Sequence, residues 1–110
     1  MVDEQRKIQI DEQVAKLVAE YLEFESNRQS LITVTRADVS SNLANAKIYI
    51  SVLPHSMERN ALDFCKRKRK EIKQYIKKNT HLRKIPFIDF EIDEGEKNRQ
   101  IIENLSHQNF

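Results

Sequence analysis

Between residues 46 and 52 every second side chain is apolar: Ala46, Ile48, Ile50 and Val52 alternate with Lys47, Tyr49 and Ser51. Successive side chains of a strand point to opposite faces, so this segment predicts a β-strand with one face buried and one wet. The preceding run, Leu31–Val39, is rich in β-branched residues (Ile32, Thr33, Val34, Thr35 and Val39), which suit a pleated surface. Its alternation is blurred, which predicts cover on both sides. Ser40-Ser41-Asn42 reads as a turn between the two runs, so they pair most simply as an antiparallel hairpin. A sheet with a buried face needs something to bury it, and the rest of the chain supplies helices.

From Glu4 to Phe24, the apolar residues Ile10, Val14, Leu17, Val18, Tyr21 and Leu22 fall on one face of an amphipathic helix. Ser26 and Asn27 mark its expected end. Pro54 closes the second strand, Ser56 is placed as an N-cap, and Glu58 favours the positive end of a helix dipole. Helical pattern then continues to about Lys78, before Asn79-Thr80 and Pro86 interrupt it. Ile88, Phe90 and Ile92 alternate with Asp89, Glu91 and Asp93 as a third strand. Beyond Gly95, the only glycine, a short helix carries Ile101, Ile102 and Leu105. These 110 residues hold one core, and the order predicts an α+β domain with helices packed on one face of a three-stranded sheet.

The long helical region contains a conflict. On one straight helix, at about 100° per residue, Ala61, Cys65, Ile72 and Ile76 face the core together. Lys68 and Arg69 fall inside or beside that same arc. Burying an unpaired cation costs several kcal/mol, so the sequence favours two helices meeting near residues 68–70.

That junction lies in the most basic part of the chain. Residues 1–54 carry a net charge of −2, residues 55–85 a net charge of +8, and residues 86–110 a net charge of −4. Lys66, Arg67, Lys68, Arg69 and Lys70 are consecutive, and Lys73, Lys77, Lys78, Arg83 and Lys84 follow. Lys66, Lys70, Lys73 and Lys77 make a stripe on an ideal helix. A charge run is usually a solvated face. Here Glu71 is the one carboxylate between Lys66 and Lys78, so ion pairing within the helix does not account for the run. The stripe repels itself unless a polyanion neutralises it, which favours phosphate binding.

Other chemistries find little support. Cys65 has no partner for a disulfide and lies on an apolar face, where it reads as a small buried hydrophobe. His55, His81 and His107 lack metal-ligand spacing. A single glycine cannot build a phosphate-binding glycine loop. No nucleophile motif or catalytic pocket is visible, so the expectation is a non-enzyme without metal, cofactor or small-molecule substrate. No apolar run approaches a membrane span and no signal peptide is seen, which predicts a soluble cytoplasmic monomer.

Residues 33–53, TVTRADVSSNLANAKIYISVL, resemble the central hairpin of the ribosome-binding factor A family, whose pattern is VTxVxVSxDLxxAKVYVSVL-like. Leu82-Arg83-Lys84-Ile85-Pro86 matches the family's LRxxP element, and Ile88, Asp89 and Phe90 resemble its last strand. The resemblance implies a type II KH-like domain, αββααβ, over residues 1–93, with residues 94–110 as a C-terminal tail, a short helix or disordered. It further implies a ribosome assembly factor that binds the immature 30S small subunit and its 16S rRNA. Lys66, Arg67, Lys68, Arg69, Lys70, Lys73, Lys77, Arg83 and Lys84 would then contact RNA. The alternative is a protein-interaction module docking an acidic protein surface through the same basic helix. In the family an Ala-x-Gly kink replaces the GxxG loop of RNA-binding KH domains. Here that kink falls on Lys68-Arg69-Lys70, and Asn42 stands in place of the usual Asp.

Overall fold

The computed structural model describes residues 3–25 and 29–108. The first helix, α1, spans Glu4–Phe24. Asp3 caps it by accepting a hydrogen bond from the Arg6 N–H at 2.8 Å, which satisfies one of the free donors of the first turn. Its buried face is Ile10, Val14, Leu17, Val18 and Leu22, as the spacing predicts. Ser26 and Asn27, the expected stop, lie outside the described residues.

Strands β1 (Leu31–Val39) and β2 (Asn45–Leu53) form the expected antiparallel hairpin. Ser40 organises the turn: its N–H donates to the Asn45 carbonyl at 2.8 Å, and its Oγ accepts from the N–H groups of Ala44 and Asn45. Asn42 Oδ1 accepts from the Ala44 N–H at 3.0 Å, so the side-chain oxygen needed at this position is supplied by an amide. The expectation that β1 is covered on both sides is corrected. Its pairing with β2 shifts between Val34 and Arg36, leaving Thr35 as a bulge. The bulge reverses the alternation, so Ile32 and Val34 point inward before it and Ala37 and Val39 after it. Leu31, Thr33, Arg36 and Asp38 are exposed.

Ser56 is not an N-cap. It lies inside a short 3-10 turn, His55–Met57, from which α2 (Glu58–Arg67) continues. The chain then breaks at Lys68 (φ −94°, ψ 6°) and restarts as α3 (Arg69–Asn79). The break is economical: the Lys68 N–H donates to the Cys65 carbonyl at 3.1 Å, and the Lys68 carbonyl accepts from the Ile72 N–H at 2.9 Å. Because φ is negative at Lys68, no glycine is required there. The bend therefore forms from Lys-Arg-Lys.

Strand β3 (Phe87–Ile92) pairs with β2 in parallel, from Asn45 opposite Phe87 to Ile50 opposite Ile92. The sheet order is β1-β2-β3, and the helices between β2 and β3 supply the crossover that a parallel pair needs. The inward residues Val39, Ala46, Ile48, Ile50, Val52, Ile88 and Phe90 meet α1, Ala61, Phe64 and Cys65 of α2, and Ile72 and Ile76 of α3 in one core. Each isoleucine buried here contributes roughly 1.5–3 kcal/mol. Cys65 behaves as the small hydrophobe expected, with its thiol pushed up to about 12 by burial. The element order, with helices over one face of a three-stranded sheet, is that of the KH-like α+β fold.

After β3, the chain turns into α4 (Glu94–Gln108). Asp93 accepts from the Glu96 N–H at 3.1 Å at its start, and Lys97 pairs with Glu58 at 3.0 Å. Ile101 and Ile102 are exposed on this helix.

Candidate nucleic-acid interface

The break at Lys68 decides how the basic run is displayed. Lys66, Arg67 and Lys70 are exposed around it, whereas Lys68 and Arg69, the two residues a straight helix would press inward, are half-buried. Lys68 lays its stem along the surface and brings its ammonium to 5.9 Å from the Phe64 ring centre. The stripe expected on one helix is divided: Lys66 ends on α2, while Lys70, Lys73 and Lys77 keep their three- and four-residue spacing on α3. All four are exposed. Lys77 lies about 12 Å along the axis from Arg69, at 1.5 Å per residue. The site is thus an elongated strip and not a point.

Helix dipoles set the middle of this strip apart from its two ends. Lys66 and Arg67 occupy the last turn of α2, and Lys77 and Lys78 the last turn of α3, where cations are favoured. Arg69 and Lys70 occupy the first turn of α3, where cations are disfavoured, with only Glu71 to offset them. No side chain caps that end. Cations there add to the positive end of the helix instead of cancelling it, which suits an anionic ligand.

Arg69 has a separate environment. Its Nη2 donates to Asp89 Oδ1 at 2.7 Å, and its guanidinium lies 5.2 Å from the centre of the Phe87 ring. Burial alone would raise the Asp89 carboxyl, but hydrogen bonds from Arg69 and from the Phe90 N–H, with the charges of Arg69 and Lys66, hold it below the ordinary value. The junction is thereby tied to the first residues of β3. Arg83 and Lys84, both exposed, lie in the loop between α3 and β3. Sequence reasoning overlooked Phe87. The alternation of Ile88, Phe90 and Ile92 inward already required residue 87 to point outward.

The family model for ribosome-binding factor A matches residues 6–106. The chain belongs to the ribosome-binding factor A family. Among curated members, it is 34% identical over 85 residues to ribosome-binding factor A of Desulfitobacterium hafniense, a match covering 76% of this chain and 66% of that protein. It is 31% identical over 100 residues to the Chlamydia pneumoniae member, covering 90% of this chain and 83% of that one. The match thus spans slightly under two thirds of the Desulfitobacterium protein. The fold agrees with the crystal structure of ribosome-binding factor A from Thermus thermophilus (TM-score 0.72, 18% identity, 78% of this chain and 94% of that one). It also agrees with a homology model of the Thermus thermophilus factor as fitted into the cryo-EM map of a 30S–RbfA complex (TM-score 0.65, 18% identity, 74% of this chain and 88% of that one).

Proposed function

We propose that this chain binds the immature small ribosomal subunit through its 16S rRNA and assists late maturation, as a cytoplasmic monomer that acts by binding alone. The observation that carries the reading is the break at Lys68, with Lys66 and Arg67 exposed at the end of α2, Lys70, Lys73 and Lys77 exposed along α3, and Arg83 and Lys84 exposed in the loop that follows. Its support from relatives is the family itself and the Thermus factor fitted into a 30S complex. Phosphate contacts of this kind fix position and orientation without reading sequence. If about five phosphates are neutralised, the log–log salt slope of RNA binding is about −3.5 to −4.5, and affinity falls roughly 100- to 500-fold between about 50 and 200 mM salt.

The test is cosedimentation with immature and mature small subunits, comparing the wild type with the variant Lys66→Glu, Lys70→Glu, Lys73→Glu and Lys77→Glu combined. Wild type is expected to pellet with immature subunits and the variant to stay in the supernatant. Equal pelleting of the two would remove the basic strip from the mechanism. Binding to deproteinised 16S rRNA separates this reading from docking on an acidic protein surface, for which the relatives give no support.

A further inference from the structure

Two phenylalanines are exposed among the described residues, and they sit in opposite electrostatic settings. Phe24 is 78% exposed at the end of α1, between Glu23 and Glu25. Phe87 is 54% exposed at the start of β3, beside the basic junction. A solitary exposed apolar side chain is ordinary. Phe87 differs because it is both fixed and backed by a cation. Its N–H donates to the Ala44 carbonyl at 2.9 Å, and its neighbours Pro86 and Ile88 are both buried, so its side chain has no inward alternative. The Arg69 guanidinium stands over the ring at 5.2 Å and is itself held by Asp89 at 2.7 Å. Arg69 Nε is hidden from solvent without a hydrogen-bond partner. The guanidinium is therefore committed to the ring and to Asp89, and it is poorly placed to act as a free phosphate anchor.

We propose that Phe87, backed by Arg69, is a stacking platform for one unpaired RNA base. The inference rests on the RNA-binding reading above and adds to it a contact that phosphate recognition cannot provide. The exposed cations of the strip hold the backbone of the RNA, while the ring, faced by Arg69 and 54% exposed, receives a base. Stacking tolerates any base but demands that the base be unpaired, so the platform selects single-stranded over duplex RNA. Because ring and guanidinium are already ordered, little conformational freedom remains to be lost when the base arrives.

The test uses the full chain, a short fluorescein-labelled oligoadenylate, and the same oligomer with abasic sites, which keeps the phosphates and removes the bases. Wild type is expected to bind the oligoadenylate about 5- to 150-fold more tightly than Phe87→Ala does, the span of one base–aromatic stack. Phe87→Trp should retain the wild-type affinity within a few fold. The abasic oligomer should bind wild type and Phe87→Ala alike, with the same salt slope, because no phosphate contact has been lost. Phe24→Ala should change nothing. The platform is overturned if Phe87→Ala binds oligoadenylate as wild type does, if it weakens abasic binding equally, or if wild type does not distinguish the two oligomers. In this last case, binding of both oligomers leaves the RNA reading standing and removes only the stack. Binding of neither removes both.

Discussion

Two arginines of this chain each stand between an aromatic ring and an aspartate, one near the end of β3 and one near its start. Arg36, beside the β1 bulge, lies 3.7 Å from the centre of the Tyr49 ring and 3.8 Å from Asp93. Arg69, at the helix junction, lies 5.2 Å from Phe87 and 2.7 Å from Asp89. The residue kinds are nearly the same, but the surroundings are not. Asp93 is only 15% exposed and also accepts from the Thr35 hydroxyl at 2.6 Å and from the Glu96 N–H. It ties the bulge to the end of β3 and the start of α4, and Tyr49 is half-buried beneath Arg36. The Arg36 guanidinium is itself 57% exposed, but the ring and the aspartate it meets are built into the fold. At the start of β3 Asp89 is half-exposed, Phe87 is open, and the exposed Lys66 lies close enough for its charge to act on Asp89. One grouping holds the fold together, and the other is left open toward a ligand.

The largest effect expected from this contrast is on RNA affinity. Each phosphate contact contributes a salt exponent of about 0.7–0.9, so reversing Lys66, Lys70, Lys73 and Lys77 together should weaken RNA binding on the order of 1,000-fold near 0.1 M salt. All four side chains are exposed, so the urea unfolding midpoint should hardly move. Arg36→Ala, a cation lost from the grouping around Asp93, should leave RNA affinity unchanged when both variants are measured by filter binding. A comparable loss there would mean that net charge, and not the strip, governs binding.

Next in size is a difference in stability. Asp93→Ala removes the hydrogen bond from Thr35, the first-turn acceptor of α4 and the partner of Arg36 at once, and should destabilise the chain by about 2 kcal/mol. Asp89→Ala loses one half-exposed ion pair and the hydrogen bond to the Phe90 N–H, and should cost less than about 1 kcal/mol. Chemical denaturation of the two variants measures both. Equal losses would erase the distinction between the two groupings.

The same pair predicts an acid response. Asp93 is held below the ordinary carboxylate value first by the Thr35 hydroxyl, then by the Glu96 N–H and the charge of Arg36. Asp89 is also lowered, because its hydrogen bonds and nearby cations outweigh burial. A carboxylate depressed in the folded state stabilises fully above its unfolded value, near 3.9, and loses that contribution as pH falls through its lower folded value. Wild-type stability should therefore decline as pH drops from about 5 into the acid range. Asp93→Asn should start from lower stability at neutral pH and decline less steeply. A parallel decline in the two proteins would show that Asp93 is not one of the groups being titrated.

Much of this was readable in the sequence, and the division has a physical basis. Local periodicity showed α1, the hairpin and the inward face of β3, because each pattern repeats within a few residues. The break at Lys68 was readable because a straight helix would have pressed two cations toward the core. What the sequence concealed depends on long-range register. Thr35 looked like one more β-branched residue until pairing with β2 made it a bulge. Ser56 looked like a cap, but the chain had already begun to turn at His55. Phe87 and Asp89 meet Arg69 only because β3 runs parallel to β2, placing Phe87 opposite Asn45. Strand order is not a local property, so the charged strip was visible and its aromatic neighbour was not.

The smallest and most discriminating change is arginine to lysine at the two positions. It keeps the charge and removes the flat guanidinium that stacks on a ring. At Arg69 this should weaken binding of the oligoadenylate about two- to five-fold, the measure of a partly exposed cation–π contact, with no change in salt slope. Binding of the abasic oligomer should stay as it was, because the contribution of Arg69 passes through Phe87. At Arg36 the same substitution should leave both oligomers unaffected and lower stability by a few tenths of a kcal/mol, since Asp93 keeps its other two donors. If Arg69→Lys instead weakened both oligomers equally, Arg69 would be acting on phosphates and not through Phe87, and the two arginines would differ in location alone.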